Sequence, residues 1–381
     1  MDIEMNTSND IQQQLNRYLE FLRLDPSNIN LLLSISNSYR LLNDFAAAQK
    51  YLDKAKAFDA SACFVLQGIL ALNQQHFKEA KEALTQALHF EDSAIVRYSL
   101  AVCHYSLQET IESINILRPL LKSGESTYNV EFLMTQLFHQ QGKLDEAIKI
   151  LEKVLEAYGP IEPTLTLLAQ LYFDNEEEKL AENTAHQVLI INPDNYEAQV
   201  ILLLLHLTHE KVAVGKIKKL MANHPNDSRL WFALGTTYFH SLKLKQAEKA
   251  HLKAAELDPD FYDNWISLGW CQLFLEQLEK AENCYQQAAT IYEHGAEGWG
   301  GLALVSTLQG KFEEAGNLIA KAKKLDTKCL LADIAELCYL QHINPEKVGM
   351  YFKQSFPTLA EQLNTAMAVV LEKLNEKKTL H

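Results

Sequence analysis

The same residue types return every 34 positions along much of this 381-residue chain. Pro225 and Pro259 are 34 apart, Trp231, Trp265 and Trp299 keep the same step, and so do Ala247, Ala281 and Ala315. A fixed period of that length constrains the fold more than any single motif. One period is too short to enclose a core, so it must stack on its neighbours and bury a continuous interface. The chain is also longer than the ~250–300 residues at which a single core stops growing. Each period holds two apolar stripes at helical spacing, about 12–14 residues each and about 20 Å long at 1.5 Å per residue. Helices that short are marginal alone in water and depend on packing. Asp25-Pro26, Asn192-Pro193 and Asp258-Pro259 mark where second helices stop, because a residue before proline is driven out of the α region.

Around the tryptophans the pattern is full: Trp231, Leu234-Gly235, Tyr238, Ala247, Ala254 and Pro259, then Trp265, Leu268-Gly269, Ala281, Tyr285 and Ala288, then Trp299, Leu302, Ala315 and Ala322. These residues resemble the tetratricopeptide repeat, a helix-turn-helix unit with W-x2-L-G-x2-Y in its first helix and Ala, Ala and Pro in and after its second. Weaker copies start near Ile29, Ser61, Ala94, Tyr128 and Glu162, and the copy from Tyr196 to Asp227 is two residues short, a difference assigned to a tighter turn near Glu210. The resemblance implies an all-α fold, a right-handed α-solenoid superhelix of nine repeats and a tenth, degenerate one. The expected organisation is an N-terminal capping helix in residues 1–28, a repeat solenoid over 29–356 and a C-terminal amphipathic helix over 357–381, the last carrying Leu359, Leu363, Met367, Val370, Leu371 and Leu374. Within a repeat, Ala247 and Ala254 are expected where the helices cross closely, and Trp231 and Tyr238 as large inter-helix fillers.

Charge and composition remove several function classes. Thirty-five Lys and Arg against 49 Asp and Glu give −14, the wrong sign for affinity built on phosphate neutralisation, so no nucleic acid is expected. The longest apolar run, Val200 to Leu205, is far short of the ~18 residues of a membrane span. Met1 to Asn6 shows no basic patch leading into an apolar stretch, which points to a cytoplasmic protein. Cys63, Cys103, Cys271, Cys284, Cys329 and Cys338 form no C-x-x-C pair and stand among apolar neighbours, as reduced core thiols would; Cys271 and Cys284 face each other across one hairpin. No H-E-x-x-H, G-x-S-x-G or Walker A pattern occurs, and His206, in the apolar run of one first helix, reads as a packed or groove-edge histidine. The glycines Gly295, Gly298, Gly300 and Gly301 lack the Lys-Ser/Thr of a phosphate loop and read as a helix cap with close packing or as a softened joint, and Glu176-Glu177-Glu178 reads as a solvated turn. The expectation is a non-enzyme with no cofactor and no metal.

Function is then expected from the concave face that first helices line in this family. The Lys, Arg and Asn of peptide-carboxylate clamps are matched only at Asn37, with Leu33, Leu66, Ile95 and Ser99 in the other slots, and the asparagine ladder of sugar-transferase members is missing. The stripe is instead apolar and aromatic: Tyr98, Val102 and Tyr105, then Phe132 and His139, then Phe173, Leu204 and Leu207, then Phe232 and Phe239, then Trp270 and Phe274. Tyr98, Tyr105, Phe132, Phe173, Phe232, Phe239, Trp270 and Phe274 are the candidate partner-binding residues. The expected activity is that of a scaffold, adaptor or chaperone-like protein holding an apolar or amphipathic helix or peptide. The alternative is a regulatory subunit whose C-terminal helix docks on an enzyme or pairs two copies into a homodimer.

Overall fold

The computed structural model describes residues 2–123, 127–207 and 214–343, and these residues form helices and turns with no strand among them. The chain divides into two units, Met1–Pro193 and Asp194–His381. In the first, α1 (Asp2–Leu24) precedes five helix pairs: α2 (Ile29–Leu41) with α3 (Phe45–Lys56), α4 (Phe64–Asn73) with α5 (Phe77–Phe90), α6 (Ala94–Ser106) with α7 (Thr110–Ser123), α8 (Tyr128–Gln140) with α9 (Leu144–Tyr158), and α10 (Glu162–Asp174) with α11 (Glu178–Ile191). In the second are α12 (Tyr196–Leu205) with α13 (Val214–Asn223), α14 (Ser228–His240) with α15 (Leu244–Leu257), α16 (Tyr262–Phe274) with α17 (Leu278–Ile291), α18 (Ala296–Leu308) with α19 (Phe312–Leu325), and α20 (Leu330–Ile343). Second helices stop at Leu24, Ile191 and Leu257, each two residues before a proline. Each unit is an all-α stack of consecutive helix pairs. Residues 208–213, which include the short turn at Glu210, and 344–381, which include the C-terminal helix, lie outside the described residues.

The cap helix α1 packs on α2, with Leu15 fully buried. Turns inside the pairs share one geometry. Asn43, Gln75, Gln108, Gly142 and Glu176 in the first unit, and Leu242, Glu276 and Gly310 in the second, all adopt φ between 56° and 79°. The next residue's N–H reaches back to the first helix, as Asp44 N to Tyr39 O (2.9 Å) and Lys243 N to Tyr238 O (2.9 Å), closing a left-handed helix cap. Glu176 therefore holds the turn of the acidic triplet.

Helices within a pair cross at a small residue with a larger one sixteen positions later. The first unit pairs Ser36, Gly68, Ala101 and Thr135 with Leu52, Leu84, Leu117 and Leu151, and its last pair, Ala169 with Ala185, is the exception with a small residue in both slots; all are buried. The second unit uses Gly235 with His251, Gly269 with Tyr285 and Ala303 with Ile319, again buried. A β-carbon on Gly68 would stand 2.4 Å from Leu84 Cγ, and one on Gly269 2.6 Å from Tyr285 Cε1. The contact density of such crossings leaves no room for a methyl group. In the short repeat the buried pair is Leu203 and Ile217, two residues closer in sequence. Ala247 and Ala254 are fully buried, as expected.

The repeat tryptophans differ from the expectation. Trp231, Trp265 and Trp299 are half-buried, and each indole N–H donates across the inter-repeat turn, to Pro225 O, Pro259 O and Glu293 O respectively, all at 2.8 Å. Each ring ties a first helix to the turn before it rather than filling the crossing. Lys321 Nζ stands 3.2 Å from the Trp299 ring centroid, a cation–π contact between α19 and α18.

The last helix leaves the stacking pattern. α20 lies along α18 far more extensively than other successive first helices meet, and α18 is buried almost all round. Of the glycine cluster, Gly300 faces α20, while Gly298 and Gly301 face α17. A β-carbon on Gly300 would meet Ala332 N at 2.8 Å, one on Gly298 would meet Ala289 N at 2.9 Å, and one on Gly301 would meet Tyr285 Cδ1 at 2.2 Å. The close-packing reading of these glycines is the one the structure shows. Lys323 of α19 anchors α20 through Asp333 (2.9 Å) and Glu336.

Candidate functional site

The eight candidate aromatics are all half-buried, so the stripe is less exposed than its composition implies. Four are in the first unit. Tyr98 and Tyr105 on α6 flank the core of Ala101, Leu117 and Leu133, Phe132 on α8 stacks on Tyr128 with centroids 5.7 Å apart, and Phe173 stands near the end of α10. His139 on the same helix as Phe132 is tied to Asp174 at 2.6 Å. Leu207 is a core residue, 5% exposed, and drops out of the stripe, because its side chain packs among Val200, Leu203 and Ile217.

In the second unit, three of the remaining four converge. Phe239 on α14 meets Phe274 on α16 edge to face, with centroids 5.3 Å apart and planes at 86°, and Trp270, one turn before Phe274, stands 6.3 Å from it. Their spacing reflects helix geometry: Trp270 and Phe274 are four residues apart on one face, and Phe239 is the repeat equivalent of the residue before Phe274. They line a cavity of about 270 Å³ together with Thr236, His240, His251, Ser267 and Leu330. Leu330 is the first residue of α20, so the departure of that helix from regular stacking supplies the cavity's far wall. Phe232 points elsewhere, to Phe261 at 4.9 Å and the His251 ring at 5.8 Å, and supports the site from behind.

His251 is the residue that sequence patterning missed. It is fully buried in the large slot opposite Gly235. A β-carbon on Gly235 would stand 2.7 Å from each of Cδ2, Cε1 and Nε2, which places the glycine over the face of the ring. Nδ1 pairs with Asn264 Oδ1 at 2.8 Å, and Asn264 returns a bond from Nδ2 to the His251 carbonyl at 2.9 Å. Because Asn264 donates through its nitrogen, its oxygen must accept, so Nδ1 carries the imidazole proton and Nε2 presents a lone pair. That Nε2, like Thr236 Oγ1, is buried with no hydrogen-bond partner. Burial pushes the His251 pKa down to about 4, only partly offset by Asn264, and the ring is neutral near pH 7. A signal was available in the sequence: a histidine in a slot that other repeats fill with Leu, Ala, Ile or Tyr. The site is thus an aromatic cavity whose lining also carries two hydroxyl residues, Thr236 and Ser267, and two histidines, His240 and the fully buried His251. No group of three or more His, Cys, Asp or Glu that could hold a metal occurs among the described residues, and no helix there is long and apolar enough to cross a membrane.

Comparison with known proteins agrees with this architecture. Residues 65–114 and 132–160 match tetratricopeptide-repeat profiles, and residues 202–346 match the profile of the cilia and flagella-associated protein 70 C-terminal domain. The anaphase-promoting complex subunit cut9 of Schizosaccharomyces pombe (strain 972 / ATCC 24843) is 26% identical over 249 residues, covering 62% of this chain and 36% of that protein. The chain spans about a third of the length of that relative. Among solved structures, the crystal structure of the APC/C hetero-tetramer Cut9-Hcn1 superposes with a TM-score of 0.52 at 15% identity, over 90% of this chain and 81% of that one, a likeness of fold. With the 34-residue period, the helix pairs and these profiles in agreement, the chain belongs to the tetratricopeptide-repeat proteins.

Proposed function

We propose that this chain is a non-enzymatic cytoplasmic scaffold or adaptor that holds an apolar or amphipathic segment of a partner protein against the first helices of its second unit. The observation that carries the reading is the convergence of Phe239, Trp270 and Phe274 on one open cavity. Half-buried aromatics from two repeats, held rigid by packing, gain contact area at small entropic cost and are the residue types that dominate interface energetics. The cut9 relative is named as a subunit of a multiprotein complex, which supports a role in protein association for this chain as well. Six buried cysteines, none in a disulfide, support a reducing compartment.

Selection of a displayed random-peptide library on the full chain supplies ligands for the test. Phe274→Ala and Trp270→Ala, checked for unchanged helicity, are each expected to weaken a selected peptide by about 2 kcal/mol, roughly 30-fold. Binding that persists in high salt but falls in these variants supports the aromatic site. Affinity that collapses with salt and ignores both substitutions would assign recognition to the net charge of −14 and overturn the reading.

A further inference from the structure

We propose that the exposed faces of α13 and α15 form a second interaction surface, for an acidic amphipathic segment of a partner protein, separate from the aromatic cavity. Residues 214–253 carry eight lysines and arginines against two carboxylates, Asp227 and Glu248, in a chain of net charge −14. Both carboxylates are engaged elsewhere. Asp227 accepts from Tyr196 (2.7 Å) and pairs with Arg229 (2.7 Å), and Glu248 accepts from Gln272 Nε2 (3.1 Å). Arg229 is neutralised by Asp227 together with Glu197, and Lys253 pairs with Glu256. The positive excess therefore rests on Lys216, Lys218, Lys219, Lys243, Lys245 and Lys249, all exposed and none in an ion pair among the described residues. Their two helices both pack on α14, and none of the six lines the cavity.

These charges do not serve the fold. Lys245 stands in the first turn of α15, at the slot where α17 and α19 place Glu279 and Glu313 against the positive end of the helix dipole. The first turns of α13 and α15 hold no acid. Lys216 and Lys219 are three apart on one helix, and Lys245 and Lys249 four apart on the other, spacings at which like charges repel. Carboxylates brought by a partner would relieve both costs.

The surroundings narrow the occupant. Leu242 and Leu252 are exposed beside these lysines, and Leu252 follows Lys245 and Lys249 at helical spacing, so the surface offers apolar area between charges. A segment carrying both Asp or Glu and leucine-like side chains matches it. Nucleic acid matches it less well. It would bring no aliphatic side chains to the two leucines, and a polyanion continuing along the stack past α15 would meet residues 254–297, which hold nine carboxylates and one lysine.

The probe is a dye-labelled peptide of repeated Glu-Glu-Leu triplets, titrated into the full chain and followed by fluorescence anisotropy. Saturable binding is expected at low salt, weakening at least roughly tenfold between about 50 and 300 mM NaCl. The variant Lys216→Gln, Lys219→Gln, Lys245→Gln, Lys249→Gln is expected to bind at least roughly tenfold more weakly while its thermal midpoint holds or rises, since repulsion is removed. Lys245→Gln with Lys249→Gln alone is expected to lose at least roughly threefold, which keeps the test open should the fourfold variant misfold. Lys50→Gln, Lys54→Gln, Lys149→Gln, Lys153→Gln, which removes the same charge from exposed lysines of the first unit, and Phe274→Ala are expected to leave binding unchanged. A Glu-Glu-Ser peptide of the same length is expected to bind at least roughly threefold more weakly. Absence of binding, equal loss in the two fourfold variants, or equal affinity of the two peptides overturns the inference. Tighter binding of a single-stranded oligothymidylate that is lost in the same variant reassigns the surface to nucleic acid and also overturns it. A loss in Phe274→Ala would place the peptide in the cavity, overturning this inference and leaving the groove reading intact.

Discussion

Gly301 on α18 lies against the ring of Tyr285 on α17, so closely that a β-carbon there would stand 2.2 Å from Cδ1 and 2.3 Å from Cγ. Gly269 covers the same fully buried ring, where its own β-carbon would stand 2.6 Å from Cζ. Gly301→Ala must therefore shift a ring that has nowhere to go, and a loss of about 1–3 kcal/mol is expected for the α16–α18 region. Gly215 is the contrast: it sits on the exposed side of α13 with nothing within 4 Å of a β-carbon. Gly215→Ala is expected to stabilise by about 0.5 kcal/mol through helix propensity. Hydrogen exchange of the second unit, which resolves local from global opening, measures both; equal effects of the two alanines would refute the packing account.

Leu242 caps α14 at φ 56° with its side chain 64% exposed, a backbone conformation that costs a β-carbon about 1–2 kcal/mol. The equivalent turn residues Gly142 and Gly310 meet the same demand without strain. Leu242→Gly is expected to raise the thermal midpoint, by about 0.5–1 kcal/mol of stability after the flexibility of glycine in the unfolded chain is counted. Gly310→Ala is expected to lower it by a similar amount. A fall in the midpoint for Leu242→Gly would show that Leu242 contributes contacts outweighing the turn.

His251 makes stability depend on pH. Its pKa is about 4 in the folded chain and near 6.5 when exposed, so between those values the unfolded chain binds the proton and the folded chain does not. The destabilisation is absent above pH ~6.5, grows as pH falls, and levels off below pH ~4 at about 3 kcal/mol. Denaturant titrations of the second unit's α14–α16 signals between pH 7 and 4 should show that slope, reduced in the His251→Leu, Asn264→Val variant. An unchanged slope in the variant would assign the effect to other groups.

The thiols offer a simple check on burial. All six cysteines are buried, and desolvation pushes Cys103, Cys271 and Cys284 up to about 12, so little thiolate forms at neutral pH. Iodoacetamide at pH 7.5 is expected to leave these three unmodified in the native chain for hours and to reach all six in denaturant. Rapid labelling of Cys271 without denaturant would mean that the α16–α17 pair opens readily.

The repeat frame was legible in the residues because it is written as a period. First helices begin at Ile29, Ala94, Tyr128, Glu162, Tyr196, Tyr262 and Ala296, where Pro, Trp, Leu-Gly and Ala spacing places them. Periodicity also marks which slots are small, since Gly68, Gly235 and Gly269 stand at one crossing position. What it left open is the direction of each half-buried side chain. Leu207 belongs to the core, Phe232 leans on His251, and only Phe239, Trp270 and Phe274 of the candidate aromatics meet at the cavity.

The sequence by itself determined helix pairs, their crossings and their turns, because these depend on neighbours within about one period: a stripe, a small residue, a left-handed cap. Only tertiary structure decided that α20 would abandon the stack. Gly300 strips the surface of α18 where α20 crosses it, and the removed volume lets the backbones approach, while Leu330 at the start of α20 lines a cavity with residues of α14, three helix pairs earlier. Likewise His251 reads as one more core residue until Asn264, thirteen positions on, takes Nδ1 and leaves Nε2 without a partner. A periodic pattern carries information about what each residue does for its own repeat; a cavity formed by three helices depends on distances between repeats, and those are set by packing volumes summed over the whole interface.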